Sequence, residues 1–399
     1  MGNHEPVSDF ATDFDHTDDA WAADPYPIWS DLRERCPIAH TTRYGGAWLP
    51  TTYEAVSAVA HDTEHFTSRS IIMSEFRPPM GLAPEGIAPP ISADPPYHHG
   101  SRRVLLPIFS PASVDKLEPS TRAYCEELVE ALRGKDVVDA AADYAQHIPV
   151  RVIAEMLGLP EEDADIFRGF VNHVLEGVSL PMEERAAGMM ALFQYLQIHI
   201  VDHQENPRDD LISFLLETEL DGQQLDAFHV ARTIGLLLIA GIDTTWSAIG
   251  ASLWHLAKTP SDLERLVAEP TLLPTAMEEL LRAYAPVTMA RLVKEDMDWH
   301  GCPMKAEEWV LLPFPSANRD PAAFDRPDEV VIDRAENRHA AFGLGVHRCA
   351  GSFLARMELR VALEVWLEAF PSFELADPDA VRWSAGQVRG PRHLPVRIT

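Results

Sequence analysis

Basic residues are scarce in this sequence. It has 33 Lys and Arg against 62 Asp and Glu, a net charge of -29 over 399 residues. That balance argues against a nucleic-acid-binding protein, which needs a basic face, and against attachment to an anionic membrane surface. The acidity reads most simply as solubility. Cysteine is scarce as well: Cys36, Cys125, Cys302 and Cys349 are all there are, and none is in a CxxC pair. A disulfide framework or a cysteine zinc site is therefore not expected, and a reducing, cytoplasmic setting is. Long apolar runs are missing too. The longest lies near Ile234–Ile242, well short of the ~20 residues that cross a bilayer. Met1 to Ala20 is polar and acidic, without the basic and then apolar order of a secretory signal.

Proline, by contrast, is plentiful, with 32 residues. The densest stretch runs from Arg77 to Pro96 and holds Pro78, Pro79, Pro84, Pro89, Pro90, Pro95 and Pro96. It reads as a long irregular loop, and such loops inside compact proteins tend to be functional. Beyond it the helical period dominates. Helices are predicted over Pro119–Arg133, Pro149–Leu157, Glu183–His203, Leu225–Leu256, Leu273–Ala283 and Ser352–Phe370. Strand-like pieces are short: Ala47–Pro50, Val310–Pro313 and Leu394–Ile398. The predicted fold class is mainly α with minor β. One folded unit over residues 1–399 is expected, with a short polar tail at about 1–23.

The chemistry concentrates in Ala341-Phe-Gly-Leu-Gly-Val-His-Arg-Cys-Ala-Gly351. Gly343 and Gly345 permit tight backbone turns. Cys349 follows them, just ahead of the helix that starts at Ser352. Backbone N–H groups and the helix dipole at that place favour a thiolate. As a haem ligand a thiolate pushes electron density onto the iron and favours O–O cleavage. A small buried cysteine in a Gly-rich turn would leave Phe342, Gly345, His347, Arg348 and Gly351 at their fixed offsets unexplained.

The segment resembles the haem-binding signature of the cytochrome P-450 family, Phe-x-x-Gly-x-x-x-Cys-x-Gly, at every fixed position. The resemblance extends over essentially the whole chain from about Asp24. Glu279-Leu-Leu-Arg282 is similar to the family's Glu-x-x-Arg motif, which implies a buried structural pair joined by Arg334. Asn318-Arg-Asp-Pro321 resembles a recurrent family turn. The implied fold places haem b between a distal helix and a proximal cysteine loop, with Cys349 as the axial ligand of the iron.

In the distal helix, Gly241, Asp243, Thr244 and Thr245 interrupt the apolar run at a cost in helix propensity, and a Thr hydroxyl there can bend the helix. Ala240-Gly-Ile-Asp-Thr-Thr245 resembles the family's oxygen-binding motif. By that resemblance Gly241 leaves room for dioxygen, Ala240 and Gly241 are cofactor-binding residues, and Asp243 and Thr244 are the acid and alcohol of a proton-delivery relay.

The two haem propionates need cations or hydrogen-bond donors. Spacing alone does not separate His98 and Arg102 from His99 and Arg103. The family pattern His-x-x-x-Arg selects His98 and Arg102. Arg291 resembles the family's strand arginine, and His347 its propionate partner inside the cysteine loop.

The resemblance implies a bacterial monooxygenase that takes electrons from a separate ferredoxin and ferredoxin reductase. A peroxide-driven haem enzyme of the same fold and a non-catalytic haem sensor are the alternatives. Asp243 and Thr244 speak against both. An apolar substrate pocket is expected from Ile72, Met73, Phe76, Leu82, Leu236, Ile239, Val287, Thr288 and Val388, with Arg77 as the loop's one cation. Arg103 and Arg356 are the expected exposed contacts for the acidic electron donor.

Overall fold

A computed structural model describes residues 5–82, 84–176, 182–220 and 222–398. Helices dominate, as the sequence pattern predicts. Five of the expected ones recur within a few residues of their predicted ends, as Glu118–Leu132, His147–Leu157, Leu273–Ala283, Ser352–Ala369 and Met182–Glu205. The sixth, the distal helix, runs Ala227–Lys258. It starts at Asp226, whose side chain accepts from the His229 N–H. A carboxylate there satisfies a free donor of the first turn. Its most apolar window is long and apolar enough to cross a membrane, but 72% of that window is buried inside the protein. The helix is hydrophobic all round because other elements pack against it on several sides.

The main sheet has five strands: β1 (Ile38–Thr41), β2 (Ala47–Pro50), β3 (Phe66–Thr67), β4 (Thr288–Val293) and β5 (Trp309–Pro313). Their spatial order is β1-β2-β5-β4-β3. β5 runs parallel to β2 and antiparallel to β4, with Val310 opposite Arg291. A second sheet joins Phe373–Leu375, Pro395–Ile398 and Val137–Asp139. Each strand is too short to close a core alone, so sequence period was a weak guide to them.

Two apolar clusters result. The larger is helical and surrounds the distal helix. The smaller lies on the five-stranded sheet, where Trp21, Trp29, Leu32, Leu49, Leu292 and Trp309 pack together.

Behind the cysteine loop, Glu279 and Arg282 are wholly buried and joined by two hydrogen bonds of 2.8 Å. Arg334 Nε donates to the same carboxylate at 2.9 Å, and the Val331 N–H at 2.8 Å. Arg282 also donates to the carbonyls of Asn318, Pro327 and Glu329. Burial works against ionisation of Glu279, but these donors outweigh it and hold the carboxyl below its usual range. The network fastens the Leu273–Ala283 helix to the segment that leads into the cysteine loop.

Candidate haem site

The cysteine loop is shaped by its glycines. Gly343 and Gly345 have φ of +72° and +69°. A Cβ on Gly345 would lie 2.1 Å from the Ala60 carbonyl oxygen, so the left-handed turn and the close approach both require glycine there. The loop closes on itself through the Cys349 N–H, which donates to the Phe342 carbonyl at 2.7 Å. Arg356 lies over the Phe342 ring at 4.3 Å and is held by Glu278.

Cys349 is the exposed cysteine, yet protein walls surround it, and what it is exposed to is an internal cavity. Burial pushes its thiol up, while the Gly351 N–H, Arg102, Arg348 and Arg356 pull it back down. These donors are the means by which the chain favours a thiolate once a cation binds the sulfur.

The same cavity is lined by Ala240, Gly241 and Thr244 of the distal helix, by Arg102 and Arg291, and by Phe342, His347, Cys349 and Gly351. One rim is cationic. Arg291 is fully buried, and its pKa is lowered to about 10 by that burial, with Asp94 pulling the other way. His98 is buried, and neither of its ring nitrogens has a hydrogen-bond partner. Burial, then Arg102, lowers its pKa to about 4. Its ring lies 4.3 Å from that of His347, whose Nε2 is 2.9 Å from Ser68 Oγ. Burial and then Arg291 depress His347 to about 2. Asp94, a carboxylate that acts on this group, is engaged by Thr67 Oγ1 and the Ser68 N–H. A set of buried donors and cations with so little negative charge is the donor chemistry that two propionates require. The residues fit haem.

Asp243 and Thr244 part company. Thr244 lines the cavity, and its Oγ1 donates to the Ala240 carbonyl at 2.9 Å. Asp243 is fully buried and is not in the cavity wall. Its Oδ1 accepts from Arg392 Nη2 at 2.5 Å. Arg392 also donates to Ser247 Oγ at 3.0 Å and lies over the Trp246 ring at 4.2 Å. Consecutive helical residues point about 100° apart, and here Thr244 turns to the cavity while Asp243 turns to the C-terminal strand. Arg392 stands far along the chain on a C-terminal strand, and no sequence signal marks it. Gly390 beside it touches the helix so closely that a Cβ would lie 2.3 Å from Ser247 Cβ.

The apolar lining differs in part from expectation. Leu236 and Val287 line the cavity, joined by Pro90, Ile91, Ile153, Leu237 and Met289. Met73 is instead buried in the sheet cluster, and Phe76 is 45% exposed at the surface. Ile72 packs against the helical core. Ile239 sits off the Leu236–Ala240–Thr244 stripe and faces the core. Thr288 and Val388 are buried behind the cavity wall. The side chain of Leu82 lies outside the described residues.

Comparison with known proteins agrees with this geometry. A family model described as cytochrome P450 matches residues 167–382. Cytochrome P450 107B1 of Saccharopolyspora erythraea is 33% identical over 95% of this chain and 96% of its own. Mycinamicin IV hydroxylase/epoxidase of Micromonospora griseorubida is 34% identical over 92% and 94%. Nocardicin C N-oxygenase of Nocardia uniformis is 35% identical over 95% and 96%. Among solved structures, the cytochrome P450 PksS of the Bacillus subtilis bacillaene polyketide synthase superposes with a TM-score of 0.88. It shares 29% identity and covers 97% of this chain and 100% of that one.

Proposed function

The chain belongs to the cytochrome P450 family of haem b monooxygenases, and from that premise we propose that it oxidises an uncharged, largely apolar small molecule with electrons from a separate ferredoxin. The carrying observation is that Cys349 and Thr244 share one apolar cavity that Arg102, Arg291 and His347 also line.

Bound haem supplies the activation of dioxygen and its insertion into the substrate; the chain supplies position, protons and exclusion of water. Cys349 is the iron ligand. Arg102, Arg291, His98 and His347 hold the propionates. Thr244 places a hydroxyl at the distal wall, and Asp243, oriented by Arg392, is the acid behind it. This acid–alcohol pair favours dioxygen with two electrons over a peroxide-driven reaction. It likewise argues against a mere sensor.

The cavity's cations are spent on the rim, and Arg77 is bound elsewhere. Its guanidinium donates to the Glu307 and Tyr44 carbonyls at 2.6 and 2.5 Å and lies 5.4 Å over Trp309. A substrate carboxylate would be buried without a partner. Val287, Met289, Leu236 and Ile91 offer shape instead of charge. Titration by the low-spin to high-spin change should rank neutral terpenoids and substituted aromatics above long-chain acids. Tighter binding of the acids would overturn the neutral-substrate reading.

The docking side is also revised. Arg356 is engaged by Glu278, and Arg360 by Glu118 and Glu364, so neither is a free contact. Arg103 and Arg348 are exposed without an ion pair among the described residues, and Leu106 and Phe353 nearby in sequence are 47% and 50% exposed. We assign the ferredoxin contact to this face, in a cytoplasmic protein folded as one haem domain.

A further inference from the structure

Tyr284 follows the Leu273–Ala283 helix and packs on the end of the distal helix, where it meets Trp254 and His255. Its hydroxyl lies 2.8 Å from His255 Nδ1, and His255 Nε2 lies 2.8 Å from Asp262 Oδ2. His255 is buried, and Asp262, on the Pro260–Ala268 helix, is partly exposed. Pro286 lines the haem cavity, and together with Tyr284 it also borders a small space behind the cavity wall. Tyr284 therefore stands two residues from that wall without entering the cavity.

An ionised carboxylate only accepts, so Asp262 takes the Nε2–H and leaves the Nδ1 lone pair to receive the Tyr284 O–H. Burial lowers the pKa of His255 against the pull of Asp262, so the imidazole is neutral and able to accept a proton. Burial, and then Tyr26, push the Tyr284 phenol well up, so it keeps its proton. A protonated phenol gives up an electron readily where a base within hydrogen-bond reach takes the proton in the same step. The neighbouring aromatics are poorer donors. Trp254 lies edge-on to Tyr284 at 5.6 Å and has Lys258 Nζ 4.8 Å over its ring. Trp383, 5.2 Å from Trp254, has the Arg389 guanidinium 4.2 Å over its ring. Such a cation is attracted to a neutral indole and repels the positive charge of an oxidised one. Tyr26 gives its O–H to the Ala283 carbonyl at 3.2 Å, which is no base. Tyr97 pairs with His229 at 2.9 Å, but among the described residues no carboxylate hydrogen-bonds to that ring.

We propose that Tyr284 is a redox-active tyrosine that returns one electron to an over-oxidised haem and passes its proton to His255. The proposal rests on the reading of the cavity as a thiolate-haem site. The oxidant is a peroxide, whose O–O bond breaks as it takes two electrons from the ferric haem. Tyr284 gives one electron back as its O–H bond breaks, and the proton goes to His255 Nδ1. A neutral phenoxyl radical remains beside an imidazolium paired with Asp262, so one oxidising equivalent stays at the haem and one rests on Tyr284. The use is protection. Without substrate, the sulfurs of Met289 and Cys349 in the same cavity are open to oxidation, and Tyr284 draws an oxidising equivalent out of it.

The test mixes substrate-free, haem-loaded ferric protein with hydrogen peroxide, freezes it rapidly and records electron paramagnetic resonance. The native protein should give a tyrosyl signal whose high-field g-value marks a hydrogen-bonded phenoxyl. Tyr284→Phe should lose that signal and bleach its haem several-fold faster under the same peroxide. His255→Ala should move the g-value to that of a phenoxyl without a hydrogen bond. The carbon monoxide spectrum of each sample reports whether haem is bound through its thiolate. Should Tyr284→Phe fail to load haem, a spin trap on the native protein, followed by mass spectrometry, locates the radical: a label on Tyr284 supports the proposal, and a label elsewhere overturns it. A native thiolate band without any tyrosyl signal overturns this proposal alone. So does a signal that survives in Tyr284→Phe and is lost in Tyr97→Phe. An unchanged g-value in His255→Ala overturns the proton transfer, and equal bleaching in Tyr284→Phe overturns the protection. Absence of the native thiolate band overturns the haem reading itself.

Discussion

The two walls of the cavity are built by different physics. On the cysteine side the backbone itself is the device: left-handed glycines, a carbonyl in contact with Gly345, and a carbonyl that fixes the Cys349 N–H. On the distal side a long helix and a proline-rich loop offer an apolar surface broken by the threonines Thr244 and Thr245 and, behind them, the Asp243–Arg392 ion pair. The first arrangement tolerates few residue types at each position. The second tolerates many, because hydrophobic contact is non-directional. The cysteine side is therefore intolerant of substitution, while the distal side accepts exchange of one apolar side chain for another.

This contrast predicts unequal damage from mutation. The largest effect should come from Arg282→Leu, which takes two hydrogen bonds from the buried Glu279, leaving it only Arg334 as a cation, and strands three carbonyls behind the cysteine loop. A loss of about 3–5 kcal/mol is expected, read as a lower denaturation midpoint with poor haem loading. A stable, haem-replete variant would remove the rigid-wall account. Thr244→Ala should leave stability and haem content nearly unchanged, yet cut product formed per dioxygen, with peroxide released instead. General acid–base contributions of ~10²–10⁴-fold set the upper bound. Unaltered coupling would reduce Thr244 to a helix-bending residue.

Arg392→Gln sharpens the comparison on the distal side. It removes a charge-assisted hydrogen bond of about 1.5–3 kcal/mol from Asp243, so product formation should slow by roughly tenfold or more, since ~1.4 kcal/mol is tenfold in rate. Substrate affinity, measured by spin-state titration, should hold. The smallest effect is expected from Arg348→Glu, on the exposed outer face of the cysteine wall. Reduction by ferredoxin should slow several-fold and lose part of its dependence on ionic strength, while substrate binding stays as it was. Rates indifferent to both the charge and the salt would move the docking face elsewhere.

The same contrast explains what could be read from the sequence. Cys349, its glycines and Glu279-Leu-Leu-Arg282 were legible because fixed offsets carry backbone and ion-pair constraints. Long helices were legible because their period repeats many times. Met73 and Ile239 were misplaced because apolar side chains carry no mark of which neighbour they face. Arg392 was invisible: its partner lies 149 positions away, and a lone arginine before the last strand looks like a surface residue. Arg356 was misjudged for a related reason, because Glu278 lies 78 positions before it in the chain.

The account stands on Cys349 as the axial thiolate of a haem. Reducing the haem-loaded protein under carbon monoxide tests that directly. The native protein should give the red-shifted absorption band peculiar to thiolate-ligated haem, and Cys349→His should abolish it. A native spectrum like that of a histidine-ligated globin would contradict the account.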